Sequence, residues 1–569
     1  MIDKMKQVTF DKVNDSLWEE VAVKSLRGKS LEELITETDE GIKIHPLYTK
    51  DLLEKTLGNK VETITKTVRQ TKKTDTWTIA QATYTHSGEA FIADLTESLE
   101  RGNEAIVYDG KSKITWTPAS LTQLSELILD YPIYAFDLAS DDNFINVFDM
   151  INKEDRQHVQ GAVTGKQINL PEGYKNLRTI SLDARQVHLN GSDIITELAV
   201  ILAKAAEAAE DYDNFKAFES QVIVRFAIDT EFFLEISKLR AFRILWQTFA
   251  ENYDYKGYSS VPIHSETSLR SFSKLDEYVN LIRAGNEALA AVIGGTDMLT
   301  VHPHNILTGT NAQSRRYARN AQIVLKEETY IDDVIDHSGG SYFVETLTNE
   351  FIEHAWNYFL EIEAVGGYSA FVQSGKLEKE ITKTREARFS DVAHNKKSLI
   401  GTNVYADLSA PLIKEEEPLH IPHRLAEPYE NLRAYFEKDQ PKVVLLTFGE
   451  LKDFKPRADF VKGYLATGGI DVEYSPAFET VKEGQDWIKT AEFDYGVICV
   501  SPKDTEKVLN ELINDLPKDK IIDVAGKYDQ ENAKKWQNSG ISDFIYKGQN
   551  QIKKLNSIKQ NWEKVGQHE

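Results

Sequence analysis

Short apolar runs that alternate with longer amphipathic stretches over about 300 residues constrain this chain more than any other feature. The runs are Ala105–Tyr108, Ile133–Phe136, Ile145–Phe148, Leu177–Leu182, Val222–Ala227, Val261–His264 and Met298–Val301, with Ser341–Val344 as a candidate eighth. Between them, Thr196–Ala208, Phe232–Phe249 and Leu275–Val292 carry apolar residues three and four apart, which is the spacing of one helix face. Strands that are apolar on both faces need cover on both, and alternating helices supply it. Residues 76–400 therefore predict a parallel sheet closed as a (β/α)8 TIM barrel.

A second alternation begins at residue 441. Val443–Phe448, Ile470–Tyr474, Tyr495–Val500, Ile521–Ala525 and Asp543–Tyr546 read as strands, with amphipathic helices between them and a last helix ending near Trp562. Five such units predict a doubly wound, flavodoxin-like (Rossmann-type) domain over 441–569. Between the two patterns, Glu415-Glu416-Glu417-Pro418, Pro422 and Pro428 read as an exposed linker, 401–440. Residues 1–75 are polar and helix-like, with an extended insert at Gly41–Thr49. Pro46 holds His45 extended there, which suits a segment lying across a neighbouring surface.

Charge and cysteine content exclude several function classes. Lys and Arg number 67 against 90 Asp and Glu, a net charge of −23. Residues 441–569 carry 19 basic and 21 acidic residues, so the excess lies almost wholly before them. Such a balance argues against nucleic-acid binding, which needs Lys and Arg for phosphates. The single cysteine, Cys499, excludes a disulfide framework and any all-thiolate metal site. It sits in an apolar strand and reads as a small buried hydrophobe. Met1–Lys6 is charged where a secretory leader is apolar, and no run reaches the length of a membrane span. The expectation is a soluble cytoplasmic protein.

Candidate chemistry is sparse. Gly161-Ala162-Val163-Thr164-Gly165-Lys166-Gln167 is one residue short of a phosphate loop and lacks the hydroxyl residue after its lysine. His302 and His304, in Gly294 to Asn305, follow a strand, and their alternation places both on one face. No third metal ligand accompanies them, which favours a hydrogen-bonded structural role over a metal site. His264, at the end of a predicted strand, is a general acid/base candidate because imidazole titrates near neutrality.

Several segments, in order along the chain, resemble the methylmalonyl-CoA mutase family of cobalamin-dependent isomerases. They are Ile42–Thr49, Phe232–Trp246, His264–Ser268, Gly294–His304, Ala318–Glu328 and Gly340–Thr348. The resemblance implies a barrel for acyl-CoA, a linker and a flavodoxin-like cobalamin domain. It identifies His264 with a family active-site histidine that acts near the migrating thioester. The family's catalytic branch carries Asp-x-His-x-x-Gly after the first strand of its cobalamin domain. The imidazole replaces the lower axial ligand of cobalt, and the carboxylate orients it. An ungapped count back from Gly469-Ile470-Asp471-Val472 puts Lys452, Phe454 and Arg457 where that Asp, His and Gly stand.

No histidine occurs between His423 and His568, and no methionine follows Met298. The expected cobalamin-type domain has no imidazole to offer. Pro456–Phe460, His423–Glu430 and Val524–Lys527 look like features of the family's small, non-catalytic subunit. The resemblance then implies a heterodimer in which a large subunit holds adenosylcobalamin and handles acyl-CoA, with the segment around His45–Thr49 wrapping onto it. This chain is expected to bind no cofactor or metal, and His264 becomes vestigial. Two other readings stand beside this one. One is a working barrel served by a separate cobalamin protein. The other is a non-enzymatic scaffold derived from the same fold.

Overall fold

The computed structural model describes residues 15–410, 412, 421–517 and 520–566. The charged start Met1–Lys6, the acidic run Glu415–Pro418 and His568 lie outside the described residues. Two compact units divide the chain. One runs to Thr267 and takes in Asn286–Val301 and Arg319–Ile381; the other comprises Ser268–Gly285, His302–Ala318 and the chain from Thr382 onward.

In the first unit an antiparallel pair, β1 (Thr36–Glu37) and β2 (Lys43–Ile44), precedes nine strands. These are β3 (Thr78–Ile79), β4 (Ile106–Asp109), β5 (Ile133–Leu138), β6 (Gln160–Gly165), β7 (Asn176–Arg178), β8 (Ile180–Asp183), β9 (Val222–Ile228), β10 (Ile263–Thr267) and β11 (Met298–Thr300). They pair in parallel as β3-β11-β10-β9-β8 and as β4-β5-β6-β7. A bridge between Ala82 and Val107 links the chain past β3 to β4. Only Thr179 separates β7 from β8. All seven residues of β9 are buried, as a strand covered on both faces requires. Helix Ile194–Ala209 starts where the Asp193 carboxylate accepts the Thr196 N–H, and helix Phe232–Glu251 follows β9.

Local chemistry overrode the apolar pattern at two expected strands. The Asp142 carboxylate accepts the Phe144 N–H and turns the chain into the 3-10 segment Asn143–Asn146 and helix Val147–Met150, so Ile145–Phe148 is not a strand. Ser341 caps helix Tyr342–Ala364 by accepting the Val344 N–H, which makes Ser341–Val344 its start. Two strands escaped the pattern. β3 is two residues long, and β6 is the glycine-bearing stretch read only for its phosphate-loop spacing.

Gly161 earns its place in β6. Its φ is +128°, and a Cβ there would lie 1.9 Å from the Ile133 carbonyl oxygen of β5. Gly161→Ala is expected to lower the unfolding free energy by at least ~2 kcal/mol. A urea titration checks this, and an unchanged midpoint would show that the β5–β6 pair shifts to admit the methyl.

The second unit carries five parallel strands, β12 (Val443–Thr447), β13 (Glu473–Tyr474), β14 (Tyr495–Cys499), β15 (Ile521–Ala525) and β16 (Phe544–Ile545). Their order is β13-β12-β14-β15-β16. Successive β12 residues alternate between two apolar layers. Val443 and Leu445 pack with Phe454, Ala458 and Val461, whereas Val444 and Leu446 pack with Phe478, Ile488 and Leu509. Helix Val481–Thr490 opens with a reciprocal cap between Thr480 and Glu483. Thr480→Ala is expected to cost ~1 kcal/mol by chemical denaturation. Within the stretch read as linker, Glu427–Phe436 is a helix with Tyr429, Leu432 and Phe436 buried. Cys499 is fully buried, and burial pushes its thiol up to about 12, so it is inert as a nucleophile. Among the described residues no helix is long and apolar enough to cross a membrane.

Candidate functional site

Inside the first unit, five strands send residues into one apolar cluster: Val107, Phe136, Ala162, Ile223 and Met298. One step toward the carboxyl ends, the inward residues become charged. Asp183, Arg225 and His264 stand in register on β8, β9 and β10, and Glu266 shares the His264 face. Arg185 follows β8 and completes the layer.

The charges are closely matched. The Arg185 guanidinium donates to Asp183 Oδ2 at 2.8 Å and to Glu266 Oε1 at 2.6 Å. Arg225 donates to the same Glu266 oxygen at 2.8 Å and approaches Asp183 Oδ2 at 3.4 Å. Its guanidinium also lies over the Phe136 ring, 3.6 Å from the centroid. Asp137, at the edge of the layer, is 3.8 Å from both guanidinium groups and 2.9 Å from Lys111 Nζ. Burial would raise the Asp183 carboxyl, but Arg185 and Arg225 hold it well below the usual carboxylate range. Such a layer binds itself and leaves its cations engaged.

His264 lies in this layer with 0% exposure. Its Nε2 pairs with Thr300 Oγ1 at 2.9 Å, and its ring stacks on Phe136 at 5.5 Å. Nδ1 is sealed and has no hydrogen-bond partner among the described residues. Burial, with the nearby Arg225 and Arg185, outweighs Glu266 and brings the imidazole down to about 3. It is neutral at physiological pH and faces a ring, a hydroxyl and, 3.7 Å from Nε2, the Glu266 carboxylate.

The other histidines do not converge on it. β11 ends at Thr300, so His302 and His304 lie past the strand and the expected strand alternation does not apply to them. His304 stacks on Tyr278, with ring centroids 5.1 Å apart. His45 is exposed, and its N–H donates to the Tyr48 hydroxyl at 3.2 Å. Among the described residues no group of three His, Cys, Asp or Glu is arranged to hold a metal ion.

In the second unit, Lys452, Phe454 and Arg457 all lie within helix Leu451–Ala466, which begins four residues after β12. Lys452 is exposed and pairs with Glu450 at 2.8 Å. Phe454 is buried in the apolar layer with Leu445, Val461 and Val497. Arg457 Nη1 donates to the Val500 carbonyl at 3.0 Å, Thr505 Oγ1 at 2.9 Å and the Tyr528 hydroxyl at 3.1 Å. Gly526 permits this closure. A Cβ on it would lie 2.6 Å from the Tyr528 hydroxyl oxygen and 3.0 Å from Arg457 Nη2.

The charged layer was not foreseen as a unit, although Arg225 within Val222–Ala227 was its visible signal. A charged residue inside a wholly apolar strand needs a buried partner. The partners come from positions 42 residues before it and 41 after it, and a single sequence cannot pair them.

Comparison with known proteins places these features in context. Residues 170–451 match the family described as methylmalonyl-CoA mutase. A methylmalonyl-CoA mutase small subunit from Porphyromonas gingivalis is 27% identical across 86% of this chain and 88% of its own. A probable methylmalonyl-CoA mutase small subunit from Mycobacterium tuberculosis is 34% identical, but that match spans 52% of this chain and 51% of the relative. A methylmalonyl-CoA mutase from Rhizobium meliloti is 33% identical over 43% of this chain and 34% of its own.

Proposed function

The chain belongs to the methylmalonyl-CoA mutase family, and from that premise we propose that it is the small, non-catalytic subunit of a heterodimeric mutase. It supports the interconversion of (R)-methylmalonyl-CoA and succinyl-CoA carried out by a larger homologous subunit. The observation that carries this reading is Phe454. Its side chain fills the sheet's apolar layer, and the ungapped count puts it where the family's cobalt-ligating imidazole stands. No other histidine stands between His423 and His568 to replace it.

The first unit is read as a (β/α)8 barrel. Support comes from the parallel pairings, from the Ala82–Val107 bridge, and from β7 running on into β8. The second unit is read as flavodoxin-like, which its 2-1-3-4-5 strand order supports. The domain bounds 76–400 and 441–569, with 1–75 as an interface arm and 401–440 as linker, remain part of this proposal.

The residues present do not fit adenosylcobalamin. Lys452 offers a cation where a carboxylate must orient an imidazole, Phe454 offers no ligand atom, and Arg457 with Tyr528 fills the space above Gly526. The cofactor is assigned to the large subunit. The self-paired layer of Asp183, Arg185, Arg225 and Glu266 argues likewise against acyl-CoA in this barrel, since its cations are already neutralised. His264 then serves packing, and the chain's contribution is fold, surface and stability for its partner. Obligate interfaces of that kind commonly bury thousands of Å².

Expression of this chain alone with adenosylcobalamin should give no cobalamin absorbance after gel filtration and no turnover. Co-expression with a larger homologue carrying Asp-x-His-x-x-Gly should give both, in a one-to-one complex. Stoichiometric cobalamin on the isolated chain would sink the proposal.

A further inference from the structure

In a doubly wound sheet, ligands bind outside the carboxyl ends of the strands, at the point where the following helices turn to opposite faces. Here that point lies between β12 and β14. Helix Leu451–Ala466 packs on one apolar layer and helix Thr505–Leu512 on the other. Arg457 reaches across it, from the first helix to the Val500 carbonyl and to Thr505 Oγ1.

The guanidinium charge has no acid partner. Among the described residues no carboxylate oxygen lies within 4.0 Å of Arg457, whereas the nearby acids are engaged elsewhere. Glu450 pairs with Lys452, Asp504 accepts from the Ser501 hydroxyl at 2.5 Å, and Asp529 caps helix Gln530–Gln537. All three protein bonds of Arg457 use Nη1. Among the described residues Nε and Nη2 have no hydrogen-bond partner, and neither is sealed from solvent. That edge is the fork an oxyanion takes in bidentate fashion. Gly526 bears no side chain to cover Nη2, because a Cβ there would stand only 3.0 Å from it.

Two further cations lie on the loops that Arg457 joins. Lys503, after β14, is exposed and makes no ion pair within 4.0 Å among the described residues, although its charge acts on Glu450. Lys527, after β15, is likewise exposed and has its Nζ 5.7 Å from the centre of the Tyr546 ring. Arg457 is held in place before any ligand arrives, so binding incurs little ordering cost.

We propose that the strand-end crevice bridged by Arg457 is a binding site for a phosphate-bearing small molecule, with the Nε–Nη2 fork gripping the oxyanion and Lys503 and Lys527 completing its charge. The site is independent of the mutase reading. It uses the crevice that a cobalamin domain would give to its cofactor, but for a different and smaller chemistry.

Calorimetric titration of the full chain with pyrophosphate at low salt tests this. One saturable site is expected, weakening as salt rises. Arg457→Met should weaken binding by about ten-fold or more, the loss of a charge-assisted fork. Arg457→Lys should recover only part of it, because an ammonium cannot present two parallel donors. The double variant Lys503→Ala/Lys527→Ala leaves every Arg457 bond intact, and it should also weaken binding while its circular dichroism stays that of the parent. Absence of saturable binding to the parent, or an affinity unchanged from the parent in either the Arg457→Met or the double-lysine variant, would overturn the proposal.

Discussion

Glu266→Leu is expected to cost about 3–5 kcal/mol of unfolding free energy, the usual penalty for removing one partner from a buried ion cluster. Glu266 Oε1 accepts from Arg185 and Arg225 together, at 2.6 and 2.8 Å. Without it, two guanidinium groups share Asp183, with Asp137 no nearer than 3.8 Å. Adding Arg225→Met to Glu266→Leu should recover more than half of the loss. Arg185 and Asp183 remain paired at 2.8 Å, and the methionine still covers Phe136. A urea double-mutant cycle reads the coupling. Strictly additive losses in the double variant would mean that the layer is not held by these pairings.

A second large effect concerns acid. His264 is neutral in the fold because burial lowers it from 6.5 to about 3. Between those values the unfolded chain takes up a proton that the folded chain refuses, so acid favours unfolding. The contribution is fully present above pH 6.5 and is lost as pH falls toward 3. From pH 6.5 to 4 the difference is 2.5 units, worth about 3 kcal/mol. His264→Gln cannot titrate. The stability gap between parent and variant should therefore narrow by about that amount between pH 7 and pH 4, in favour of the variant. Asp183 also loses stabilisation in acid, but in both proteins, so it cancels. A constant gap would show that His264 protonates as readily folded as unfolded.

The strand–helix alternation was legible wherever a strand was long and β-branched, as at Val222–Ile228 and Tyr495–Cys499. It failed where one polar side chain could redirect the backbone. Asp142 and Ser341 each capture a backbone N–H and start a helix in an apolar run. It failed again at β6, where Gly161 weakens the pattern because the neighbouring strand leaves no room for a side chain. At the candidate sites, that Phe454 offers no ligand atom could be read, since that depends only on its identity. Its burial in the sheet core could not be read.

What the sequence determined by itself was therefore local or compositional: two runs of strand and helix, a family resemblance, and a stretch from 424 to 567 with no imidazole. What the tertiary structure decided was which distant charges meet. Asp183, Arg225 and Glu266 come from three strands, and Arg457, Thr505 and Tyr528 from two helices and a loop. Electrostatic partners are fixed by distance in space and by the exclusion of water. Neither quantity is carried by the order of residues along the chain, so a charged side chain announces only that it needs a partner, and the fold alone chooses it.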